Sequence, residues 1–172
     1  RYAENVEQSY RDHTTVVGHY LADDGHCSEG GYYAYSFGTS LRLWLAYAEF
    51  SGKTVAEVLP SRFVKSVAFV EASTSSVNEA GYMIPHGVGG FRPWPSYLVA
   101  FLAAHCGWSH GWTLLHNRWR DGDAGPESGM DVLVLLLSTP PELPVEKCKP
   151  AGLIGCPRSG LAAYEFPAPH RG

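Results

Sequence analysis

The chain has 172 residues, 45% of them apolar, and a net charge near −4 with histidine neutral. That is enough apolar material for one compact core; phosphate binding needs a clustered basic surface, and with no run of Lys or Arg nucleic acid is not expected as a partner. The longest unbroken apolar run, Val132 to Leu137, falls far short of the roughly 20 residues that span a bilayer, so no membrane segment is expected.

The opening "RYAENVEQSYRDH" reads as the middle of a helix, and the chain is expected to be a piece of something longer. Val6, Tyr10, Val17 and Leu21 recur at helical spacing and predict a helix over Asn5 to Leu21, stopped by "ADDG". The second helix is the best defined. Tyr33, Phe37, Leu41, Trp44, Leu45 and Ala48 form one stripe, and the glycine of "SGK" after Phe50 supplies a C-terminal stop. A third runs from Ser61 to Glu71 behind Pro60. Ser73 to Pro95 is then a Gly- and Pro-rich loop carrying "YMIPHGVGGFRPWP". A loop longer than about 15 residues inside a domain is usually functional or disordered, and its aromatic content favours function. Two coupled helices follow, "SYLVAFLAAHCG" and "WSHGWTLLHNRWR", and a last one spans Gly129 to Ser138. From Thr139 the segment "TPPELPVEKCKP" reads as a linker. Beyond it "AGLIGCPRSGLAAYEFPAP" suits a strand or hairpin. The predicted organisation is therefore a helical segment 1–138, a linker 139–150 and the start of a β domain at 151–172. Helices without intervening strands imply helix-on-helix packing.

The candidate chemistry begins at "DDGHCSEGGYYAYSFGTSL", Asp23 to Leu41, where three tyrosines meet a helix start. They suit core packing, a sugar platform or acid/base work. A phenol donates a proton at neutral pH and becomes a base only when a positive neighbour stabilises the phenolate. Tyr33 lies on the apolar stripe with Phe37 and Leu41, whereas Tyr32 and Tyr35 lie off it. The histidines show no metal-ligand spacing, and neither a metal nor a cofactor is expected. His105, beside Cys106 near the end of an apolar helix, reads as structural. His86 shares the long loop with Arg92 and Trp94; that trio suits an anionic sugar, with Arg as the carboxylate fork, or else a rigid connector. Cys148 and Cys156 bracket "KPAGLIG" and are compatible with a short disulfide loop or with two buried thiols. No nucleophile elbow, phosphate loop or dinucleotide fingerprint occurs, so Ser/His/Asp and nucleotide chemistry are unsupported. Paired carboxylates for glycoside hydrolysis, drawn from Asp23, Asp24 and Glu29, stay open.

The order of these features resembles the heparinase II/III-like polysaccharide lyases and the related alginate and uronate-oligosaccharide lyases. "DGHCSEGGYYAY", Asp24 to Tyr35, is similar to their D-G-x-x-x-E-G-x-x-Y-x-x-Y segment. "NEAGYMIPHGVGGFRP" resembles the loop before their final toroid helices, and "CPRSGLAAYE" the F-P-x-S-G-x-A-x-x-R stretch that opens their β domain. Arg158 and Glu165 depart from that last pattern, which normally carries an acidic residue and a downstream Arg. His26 and Cys27 are idiosyncratic. The Asn-His pair that such lyases use is absent from the chain, as is a locatable β-domain histidine.

The resemblance implies a mainly α fold: an incomplete α/α toroid of helical hairpins followed by the first strands of a β-sandwich domain. It implies a polysaccharide lyase, secreted or periplasmic, that cleaves uronic-acid-containing glycans by β-elimination and acts on an acidic polysaccharide or oligosaccharide. Tyr33 would be the tyrosine that takes and returns a proton, with Tyr35 its competitor; Tyr32, Glu29, His86, Arg92 and Trp94 would hold substrate. This chain would carry one catalytic residue of several and be inactive by itself. The alternatives are an α/α-barrel glycoside hydrolase using Asp24 or Glu29, and a non-catalytic carbohydrate-binding helical domain.

Overall fold

A computed structural model of the chain describes residues 1–74, 81–84, 93–121, 129–144, 152–156 and 161–165. The described residues are mainly helical. The helices are α1 (Tyr2–Tyr20), α2 (Tyr33–Ser51), α3 (Val55–Val58), α4 (Ser61–Ala72), α5 (Ser96–His105), α6 (His110–Arg120) and α7 (Gly129–Ser138), and a 3₁₀ turn, Gly30–Tyr32, leads into α2. Two strands follow, β1 (Gly152–Cys156) and β2 (Leu161–Glu165). They pair antiparallel, with Gly152 opposite Glu165 and Cys156 opposite Leu161, and lie against α4.

Side-chain pairs show how the helices run. Tyr10 stacks on Tyr47 at 3.8 Å between ring centroids, and His13 Nε2 meets Ser40 Oγ at 2.6 Å. Early α1 therefore lies beside late α2, and the two are antiparallel. The same logic holds for α2 and α4, where Tyr33 touches Phe69 and Phe37 touches Phe63. Glycine makes the end of α2 possible: Gly52 takes φ 67°, and Lys53 N–H reaches back to Ala48 O at 3.0 Å, the left-handed cap that satisfies orphaned carbonyls.

The core follows from the apolar stripes. Phe37, Leu41 and Trp44 of α2 are buried, Phe37 and Trp44 against Phe63 of α4, which also meets Phe101 of α5. Residues Ser96 to Ala103 of α5 are all buried. A helix apolar on every side belongs in the interior, and α5 accordingly packs on α2, α6 and α7. The elements match the predicted ones within a few residues, and α3 is the addition. It is a single turn opened by Thr54, whose backbone N–H and hydroxyl both donate to Glu57 Oε2, at 2.8 and 2.7 Å. Among the described residues no helix is long and apolar enough to cross a membrane.

Candidate functional site

The segment before α2 is clamped onto α4. Arg62 donates to Gly18 O and Leu21 O and pairs with Asp23, while Lys65 Nζ reaches Asp23 O at 3.2 Å. Gly25, at φ 86°, presses so close that a β-carbon there would lie 2.4 Å from the backbone of Lys65 and Ser66. Behind this clamp one tyrosine faces inward.

Tyr33 is the one. It is 0% exposed, and its ring meets Phe37, Phe63, Phe69 and Trp94 at centroid distances of 4.9–6.1 Å. Its hydroxyl lies 2.5 Å from Ser66 Oγ, and Ser66 donates its only proton to Phe63 O at 2.5 Å. Tyr33 must then be the donor to Ser66. Burial pushes its phenol well above the ordinary value, an effect the Ser66 hydrogen bond only partly offsets. A base needs the opposite shift and access to substrate. Neither its burial nor the direction of that shift suits the proton exchange that the resemblance implies for Tyr33; in this structure it is a core residue.

Trp94, expected to hold substrate, is a core residue as well. It is 1% exposed, its indole N–H donates to Thr74 Oγ1 at 3.0 Å, and it stands edge-on to Tyr33. No face is open for a sugar to stack on. Tyr32, by contrast, is 42% exposed, and Glu29 is exposed one turn earlier. His86, Arg92 and the Tyr35 side chain lie outside the described residues. The roots of the long loop are described: Thr74 bridges Met83, Tyr82 bridges Pro93, and the buried Arg118 of α6 donates to Gly81 O and Trp94 O. Cys27, Cys106 and Cys156 are free thiols, so no disulfide closes at Cys156; Cys148 lies outside the described residues.

One polar cluster escaped the sequence reading. Glu71, in the last turn of α4, is 6% exposed, and its carboxylate accepts from the Trp108 indole and from His110 Nδ1, the latter at 3.0 and 3.1 Å from its two oxygens. His110 is 7% exposed and opens α6. These residues stand 37 and 39 positions apart from Glu71, and no short motif joins them. The one available signal was a glutamate at the end of an apolar helix, where an unpaired charge would be costly.

Among the described residues no group of three His, Cys, Asp or Glu is placed to hold a metal ion. A groove of about 320 Å³ between α1 and α2, lined by Tyr2, Val6, Leu43, Ala46, Tyr47 and Phe50 among others, includes none of the expected site residues. No protein-family model, curated protein or solved structure matches this chain.

Proposed function

We propose that this chain is the helical part of a secreted or periplasmic polysaccharide lyase, an α/α toroid segment with the first strands of a β-sandwich, acting on uronic-acid-containing glycans by β-elimination. The reading rests on the "DGHCSEGGYYAY" segment and on one observation in particular: the turn entering α2 exposes Glu29 and Tyr32 while it buries Tyr33. β-Elimination needs a group to neutralise the uronate carboxylate, one to take the C5 proton and one to protonate the departing O4. At neutral pH an exposed phenol is a donor. Tyr32 suits the last of these roles, and the tyrosine assignment moves from Tyr33 to its neighbour.

Burial of Tyr33, the tyrosine that the resemblance makes the proton carrier, favours a second reading, a helical domain that binds glycan without cleaving it. Product chemistry separates the two. The full-length protein, incubated with a panel of uronate oligosaccharides, is expected to release a 4,5-unsaturated product absorbing in the ultraviolet. Tyr32→Phe should lower kcat on the order of 10²–10⁴-fold, the range of general acid–base catalysis, while Tyr33→Phe retains turnover. Binding without turnover selects the second reading, and new reducing ends without a double bond select a glycoside hydrolase.

A further inference from the structure

The end of α1 and the turn that opens α2 form one hydrogen-bonded ladder. Leu21 N–H closes the last helical bond, to Val17 O at 3.1 Å, and the next amide, Ala22 N–H, leaves the helix for His26 O at 2.9 Å. Leu21 bridges Cys27, Cys27 O accepts from Gly30 N–H at 3.2 Å, and Glu29 O accepts from Tyr32 N–H at 3.2 Å. The exposed Glu29 and Tyr32 therefore stand at the far end of a ladder that starts on α1.

One face of α4 grips this ladder at two places. Arg62, Lys65 and Ser66 recur at three- and four-residue spacing and so share a side of that helix. Ser66 holds the downstream end through Tyr33. Upstream, Gly18 O would accept from Ala22 N–H if the helix continued; Arg62 Nη1 takes that place at 2.5 Å, donates also to Leu21 O at 3.2 Å, and Nη2 pairs with Asp23. A cation on the last carbonyls of a helix also complements its dipole. Three acceptors at fixed angles suit the planar fork of a guanidinium, whereas a lysine ammonium is a point charge on a flexible stem. Arg62 and Asp23 are both partly exposed, so removing the Arg62 head group opens no buried cavity.

We propose that Arg62 is a positioning residue: acting through the ladder from Leu21 to Tyr32, its guanidinium sets where Glu29 and Tyr32 stand. The proposal rests on the lyase reading above, in which that turn meets the glycan. Arg62 itself touches neither substrate nor the reacting atoms; it fixes one end of the turn while Ser66 fixes the other.

Two measurements on the full-length protein decide it. The first is amide hydrogen exchange, read by mass spectrometry. In Arg62→Ala the peptide carrying the Gly30 and Tyr32 amides should exchange on the order of tenfold faster than in wild type, with α5 unchanged. An unchanged turn overturns the proposal, and so does an equal rise in α5, which marks general destabilisation. Should Arg62→Ala fail to fold, Arg62→Lys, which keeps the charge and loses the fork, is expected to show the same local change.

The second is turnover of uronate oligosaccharides. Arg62→Ala should lower kcat on the order of 10²-fold, the scale of a misplacement of about 1 Å, with KM within about threefold. Millimolar guanidinium should restore part of kcat and slow the exchange of the turn again, and sodium chloride of the same ionic strength should do neither. Unchanged kcat in Arg62→Ala, or an equal response to the two salts, overturns the proposal. Failure of the lyase reading looks different: a product without a double bond, or no turnover of the panel by wild type. In the first case kcat of Arg62→Ala still judges the positioning role, and in the second the exchange of the turn and its response to guanidinium judge it.

Discussion

The Tyr33 hydroxyl sits 2.5 Å from Ser66 Oγ, joining the first residue of α2 to the middle of α4 inside an aromatic cage. Removing the hydroxyl leaves Ser66 bonded to Phe63 O, so Tyr33→Phe is expected to cost about 0.5–1.5 kcal/mol, the net worth of one hydrogen bond. Truncation to Ala should cost about 3–5 kcal/mol as a large buried cavity opens. Urea unfolding monitored by circular dichroism measures both; a loss of activity in Tyr33→Phe larger than its stability loss would return Tyr33 to the site.

Trp94 ties the loop root to α4 through Thr74. Trp94→Ala should lower stability by about 3–5 kcal/mol, and Trp94→Phe, which keeps most of the ring volume and drops the N–H, by clearly less. Affinity of the folded Trp94→Phe protein for oligouronates should equal that of wild type. Selective weakening of affinity, read by calorimetry, would place the indole against sugar after all.

Gly25 occupies a conformation and a space that no other residue fits. Gly25→Ala should cost about 1–3 kcal/mol for the positive φ alone, with more from the collision with the Lys65 and Ser66 backbone. Thermal melting checks it. An unchanged melting temperature would mean that the clamp on α4 is not tight.

The α3 turn gives a pH dependence of definite sign. Hydrogen bonds from the Thr54 side chain and then its backbone hold the Glu57 carboxyl below its ordinary value. A lowered folded-state pKa stabilises above the unfolded value, and the stabilisation is lost as pH falls through the folded value. Wild type should therefore be more stable than Glu57→Gln at about pH 7, with the gap narrowing as pH falls through the folded-state value. A gap independent of pH would exclude the ionised carboxylate as its source.

Burial raises the Cys27 and Cys156 thiols to about 11 and Cys106 to about 12. The thiolate is the reactive form, so these three should resist a disulfide reagent near neutral pH in the folded protein and react once it is unfolded. Rapid labelling of Cys106 in the native state, mapped by mass spectrometry, would contradict its placement.

What the sequence determined by itself was local. The three- and four-residue recurrence of apolar side chains, with glycine and proline at the ends, marked α1, α2, α4, α5, α6 and α7, and the Gly/Pro-parted runs marked the β1–β2 hairpin, because these signals act within a turn or a strand. The single turn α3 is too short to show a period, although Thr54 and Glu57 stand at capping-box spacing. Tyr33 was already on the buried stripe by that same periodicity; that its hydroxyl meets Ser66, beside the close approach of Gly25 to α4, was set by tertiary packing. Glu71, Trp108 and His110 belong to different stretches of chain, and only the packing of α4 against the turn between α5 and α6 unites them. Periodicity reports which face of a helix is buried, but a site assembled from distant residues depends on which helices share that face, and tertiary packing alone sets that.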